Sequence, residues 1–85
     1  MSELEKLKER LKSLPKDFTY NEAKSLLTKL GFIEDNKGKT SGSRKRFNRN
    51  KDKVLLHKPH PQNTLDSAAV KALLRELKKF GDINE

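Results

Sequence analysis

Apolar positions in this chain repeat with a helical period towards both ends and alternate with polar ones in the middle. Leu4, Leu7, Leu11 and Leu14 recur about every 3.5 residues, with lysine and glutamate between them, so residues 3–14 read as an amphipathic helix. Pro15 stops it. Its apolar face is narrow, which marks an accessory helix packing onto a main fold. A second helix starts at Thr19. Thr19 and Glu22 have the spacing of a capping box, and Phe18 stands at the staple position. Ala23, Leu26, Leu27 and Leu30 follow at i, i+3, i+4 and i+7, and Gly31 supplies the stop.

The centre of the chain reads as strands. Phe32 to Asp35 is a short one, and Asn36-Lys37-Gly38-Lys39 is turn chemistry. Strands at 42–48 and 53–58 flank a hairpin loop, Arg49-Asn50-Lys51-Asp52. With the turn centred on Asn50-Lys51, Phe47 opposes Val54 and Lys45 opposes Leu56, while on the other face Arg46 opposes Leu55 and Arg44 opposes His57. This register gathers Phe47, Val54 and Leu56 against the helices. It leaves Arg44, Arg46 and His57 on an open face, with Leu55 exposed beside them.

Prolines at 59 and 61 make residues 59–63 a loop. The last helix begins with Asp66 or Ser67 as N-cap. Val70, Leu73, Leu74, Leu77 and Phe80 form its apolar face, Lys78 and Lys79 suit its C-terminal dipole, and Gly81 ends it. The expected fold class is α+β, in the order α-β-β-β-α. A three-stranded antiparallel sheet carries both helices on one face, with an extra helix in front over residues 1–14 and the main domain over 15–85.

Composition narrows the picture. At 85 residues there is room for one domain with a thin core. A hydrophobic fraction of 32% against 38% charged leans towards disorder, and the periodic leucines oppose that. The chain has no cysteine, which excludes disulfides, thiolate metal sites and a cysteine nucleophile and suits a reducing cytosol. No apolar run approaches the ~20 residues of a membrane span, and Met1 to Glu5 alternates leucine with charge, unlike a signal peptide. A cytoplasmic protein without membrane contact is expected.

The charge is concentrated. The formal net charge is +8, and residues 37–58 hold nine bases against one acid, while the eleven bases and eleven acids elsewhere cancel. Such a patch attracts polyanions, foremost nucleic acid. In the stretch 41–47, Gly42 lets the backbone approach a phosphate. Ser41 and Ser43 offer hydroxyls, and Arg44 and Arg46 can grip phosphate oxygens. Lys37, Lys39, Lys45 and Lys58 complete the candidate RNA-binding set. The plain alternative is a charged strand kept soluble.

His57 and His60 are the two histidines and the candidate catalytic residues. Imidazole suits proton transfer at neutral pH, and nearby cations can stabilise a developing phosphorane. Attack by a ribose 2′-OH would then need no metal. The plain alternative makes His57 a strand terminus and His60 an ordinary loop residue. His57-x-x-His60 has only Asp66 close downstream, and no glycine-rich phosphate loop, nucleophile elbow or zinc spacing occurs. Neither a metal nor a small-molecule cofactor is expected.

The order α-β-β-β-α, the strand opening Gly31-Phe32, the segment Lys39-Thr40-Ser41-Gly42-Ser43-Arg44 and the run Leu55-Leu56-His57-Lys58-Pro59-His60-Pro61 together resemble the HicA toxins of bacterial toxin–antitoxin modules. The resemblance covers about residues 15–83. It implies a double-stranded-RNA-binding-domain-like fold, cleavage of mRNA without a metal by means of a histidine, and neutralisation by a HicB-like antitoxin. One departure matters. The family pattern reads Gly-Ser-His on the second strand, with that histidine catalytic, whereas here Gly42-Ser43 is followed by Arg44. His57, opposite Arg44, becomes the substitute imidazole, and His60, which aligns with a proline-flanked histidine of the family, the second candidate. A non-catalytic RNA-binding module and a domain that meets only an acidic protein are the competing functions.

Overall fold

In a computed structural model, residues 2–35, 44–57 and 63–83 are described. They form α1 (Glu3–Lys12), α2 (Tyr20–Lys29), β1 (Ile33–Asp35), β2 (Arg44–Arg49), β3 (Asp52–His57) and α3 (Ser67–Phe80). The strands make one antiparallel sheet in the order β1-β2-β3. The fold is α+β, with the α-β-β-β-α order preceded by an additional helix.

Each helix is fixed by local chemistry at its ends. Ser2 caps α1, accepting from the Glu5 N–H. The capping box of α2 is complete: the Glu22 N–H donates to Thr19 Oγ1 at 3.1 Å, and the Thr19 N–H donates to Glu22 Oε1 at 3.0 Å. Asp66 caps α3, accepting from the Ala69 N–H at 2.8 Å. Gly81 closes α3 at φ 87, a left-handed conformation that costs glycine little.

The first helix is shorter than its leucine spacing predicts. It ends at Lys12, and Leu14 stands outside it at φ 52 and 42% exposed. Proline disfavours helical geometry in the residue before it, so the chain leaves the helix ahead of Pro15 and Leu14 drops from the apolar face. Leu7 and Leu11 are buried in the common core.

That core lies between the helices and one face of the sheet. Phe47 on β2, with Val54 and Leu56 on β3, is buried there against Leu26 and Leu27 of α2 and Val70, Leu73 and Leu77 of α3. Chain segments outside the regular elements are tied in as well. The Tyr20 N–H donates to the Asn63 carbonyl at 2.7 Å and the Leu65 N–H to the Phe18 carbonyl at 2.9 Å. These bonds hold the approach to α3 against the start of α2.

The hairpin is tighter than expected. Strand pairing continues to Arg49 and Asp52, so only Asn50 and Lys51 form the turn, with Asn50 at φ 51. Pairing to the end turns Arg49 towards the helices, where it becomes a clasp. Its guanidinium donates to both oxygens of Asp82, at 2.8 and 2.7 Å, to Asp52 at 2.8 Å and to the Leu30 carbonyl at 3.1 Å. It also lies over the Phe32 ring, 4.4 Å from the centroid. The Asp82 and Asp52 hydrogen bonds raise the Arg49 pKa further above its ordinary range, against the opposing effect of burial.

Candidate nucleic-acid interface

The β2–β3 register is the one the sequence predicts. Arg44 pairs with His57, Lys45 with Leu56, Arg46 with Leu55 and Phe47 with Val54. Directly opposed residues share a face, with Cβ atoms about 4.5–5.5 Å apart. Positions 44 and 57 are therefore neighbours on the face that the helices leave open. His57 itself is exposed.

Pairing of β1 with β2 extends that face. Ile33 opposes Asn48 and Asp35 opposes Arg46. Across the three strands, the open face thus carries the row Ile33, Asn48, Lys53, then Asp35, Arg46, Leu55, then the pair Arg44 and His57. Asp35 organises its middle. It accepts a hydrogen bond from Asn48 Nδ2 at 2.9 Å and lies 3.8 Å from an Arg46 guanidinium nitrogen. Two aliphatic side chains stand bare on the same face, Ile33 at 73% and Leu55 at 60% exposure.

The predicted site residues divide by face. Arg46 and His57 are on the open face, together with position 44. Lys45 alternates to the helix side with Leu56, although it remains half-buried rather than enclosed. Lys37, Lys39, Ser41, Ser43, Lys58 and His60 lie outside the described residues. Arg49, counted in the basic segment, is consumed by the clasp and faces away from the open side.

Sequence reasoning missed Lys53 and Asp35 as members of this face. Lys53 follows from the register itself, since it opposes Asn48. Asp35 had no such signal, because the β1–β2 register is not set by a short hairpin turn.

Electrostatically, the face is basic with one internal acid. Arg46 shares Asp35, while Lys51 and Lys53 are exposed at its border. Cations beside an exposed imidazole can hold a phosphodiester and move a proton on it. Among the described residues, no three histidine, aspartate or glutamate side chains converge as metal ligands. None of the described helices is long and apolar enough to cross a membrane.

Comparison with known proteins bears on which chemistry this is. A family model described as the HicA toxin of bacterial toxin–antitoxin modules matches residues 20–79. Comparisons with curated proteins and with solved structures each returned no match. The family match starts at the first residue of α2 and runs to within one residue of the end of α3, so it takes in the whole sheet. By that match, over well more than half its length, the chain belongs to the HicA family of bacterial toxins.

Proposed function

We propose that this toxin is a metal-independent endoribonuclease that binds mRNA on the open sheet face and uses His57 to activate the ribose 2′-OH. The observation that carries the proposal is the pairing of Arg44 with His57. Where the family pattern has a histidine, this chain has Arg44, and an imidazole stands directly across from it on the same face.

In the proposed reaction, His57 takes the proton from the 2′-OH. The 2′-oxygen bonds to phosphorus, and the 5′-oxygen leaves with a proton from an acid, for which His60 is the candidate. The products are a 2′,3′-cyclic phosphate and a 5′-hydroxyl. Arg44 and Arg46 offset the charge that builds on the phosphoryl oxygens. Lys37, Lys39, Ser41, Ser43, Lys45 and Lys58 add backbone contacts. Residues 15–85 form the active unit in this proposal, residues 1–14 are accessory, and a HicB-like acidic antitoxin in the same cytoplasm neutralises the enzyme.

Arg44 also supports a second reading, an RNA binder that has lost its chemistry along with the histidine. Incubation of single-stranded RNA with the protein in EDTA at low salt separates the two. Cleavage should fall about 10²–10⁴-fold in His57→Ala. Full cleavage by that variant would remove His57 from the mechanism, and RNA that is bound yet stays intact would favour the second reading.

A further inference from the structure

Outside the sheet face, one flank of α3 carries a row of exposed bases. Lys71, Arg75 and Lys78 are exposed at i, i+4 and i+7, so they line one side of the helix. With a rise of 1.5 Å per residue, the steps between them are about 6 and about 4.5 Å along the axis. That is comparable with the separation of successive phosphates on an extended strand. The acid of this helix, Glu76, belongs to the other flank with Ala69, Ala72 and Phe80, all partly buried.

Like charges at these spacings oppose helix formation; α1 carries them too, as Lys6 with Arg10 and Lys8 with Lys12, but interleaved with the acids Glu5 and Glu9. On α1, Glu9 pairs with Lys12 at 3.2 Å, and on α2, Lys24 pairs with Glu34 at 3.2 Å. Lys71 and Arg75 have no ion-pair partner among the described residues. No acid stands between Lys71 and Arg75 along the helix.

Position gives the stripe its meaning. The opposite flank turns inward, with the Phe80 ring tilted against Phe32 at 6.2 Å between centroids, at the entrance to β1. The helix that carries the basic flank packs on β3, an edge strand of the sheet. Lys53 and His57 stand exposed on the open side of that same strand.

We infer that Lys71 and Arg75 form a second phosphate-binding segment, which takes the backbone of a single-stranded RNA after it leaves the sheet face and passes round the edge of β3. This rests on the RNA reading of the sheet face. The segment contributes to holding long substrates and takes no part in the bond cleavage. A strand too short to turn the edge does not feel it.

The test compares wild type, Lys71→Gln/Arg75→Gln, and Lys6→Gln/Lys29→Gln as a charge-matched control of exposed lysines. Binding to a homopolymer RNA of about 12 nucleotides and to a trinucleotide is measured across a salt series. On the long strand the slope of log K against log salt should fall by about 1.4 in the α3 variant, at about 0.7 per phosphate on a single strand. The control should keep the wild-type slope, and all three proteins should bind the trinucleotide alike. In cleavage of the long strand, KM should rise in the α3 variant with kcat unchanged. An α3 variant whose slope on the long strand equals the control's overturns the inference while leaving the sheet-face reading intact. The same slope with weakened binding to polyglutamate would assign the stripe to an acidic protein instead. Failure of the wild type to bind the long strand at all overturns both.

Discussion

Replacing Arg49 with alanine tests whether the clasp, rather than a ligand, accounts for this arginine. The side chain is 20% exposed and its partner Asp82 15%, so the pair is largely but not wholly dry. Removing one member of a fully buried pair costs about 3–5 kcal/mol. Water still reaches both groups here, which places the loss near the lower end. It also includes the stack on Phe32 and the bond to the Leu30 carbonyl, so about 3 kcal/mol is expected in all. For a domain of this size, that lowers Tm by about 12–24 °C. Arg49→Lys keeps the charge but loses the fork that grips both oxygens of Asp82, and about half the loss should return. The assay is urea unfolding followed by far-UV circular dichroism, with the salt slope of RNA binding measured on the folded fraction. A loss under about 1 kcal/mol, joined to a slope lower by about 0.7, would refute the clasp and return Arg49 to the RNA surface.

Two further predictions concern the N-terminal region. Leu11 is fully buried, so Leu11→Ala should destabilise the protein by about 2–5 kcal/mol. A near-neutral melt would show that α1 lies loosely on the fold. Burial pushes the Glu22 carboxyl up, but the Arg10 guanidinium at 2.6 Å and the Thr19 N–H outweigh it, and its pKa ends below the ordinary 4.5. The folded value being the lower one, this stabilisation is present above the unfolded pKa and is lost as pH falls through the folded one. Wild type should therefore lose its advantage over Glu22→Gln on acidification below about pH 4.5 in parallel melts, and a constant difference between them would contradict the assignment.

The elements and the hairpin register were legible in the sequence because short-range rules set them. A capping box spans three residues, and a two-residue turn fixes every opposed pair down to Arg44 and His57. Leu55, bare on the open face, is the visible consequence of a register chosen to bury Phe47, Val54 and Leu56. Arg49 was illegible for the opposite reason. Its partners Leu30 and Asp82 are 19 and 33 residues away, and nothing nearby distinguishes a clasping arginine from a solvated one. Leu14 misled because the leucine spacing outlasts the helix: the conformation imposed ahead of Pro15 decides the ending. On the candidate site, the sequence supplied Arg46 and His57 as face-mates. It could not supply Asp35, whose place depends on a pairing across a long connection.

The clasp also sets the time for which a folded molecule persists. The β2–β3 hairpin is a local structure of the kind that forms in about 1–10 μs, whereas the Arg49 guanidinium needs α2, the hairpin and the segment after α3 all in position. Because closing such long separations costs entropy before any contact rewards it, the clasp is expected to be absent from the folding transition state. Interactions absent from the transition state govern the rate of unfolding and leave the rate of folding nearly untouched. Loosening Arg49 therefore shortens the lifetime of each folded copy without slowing the making of new ones. Where cleavage by a protease outpaces reclosing, that lifetime decides survival.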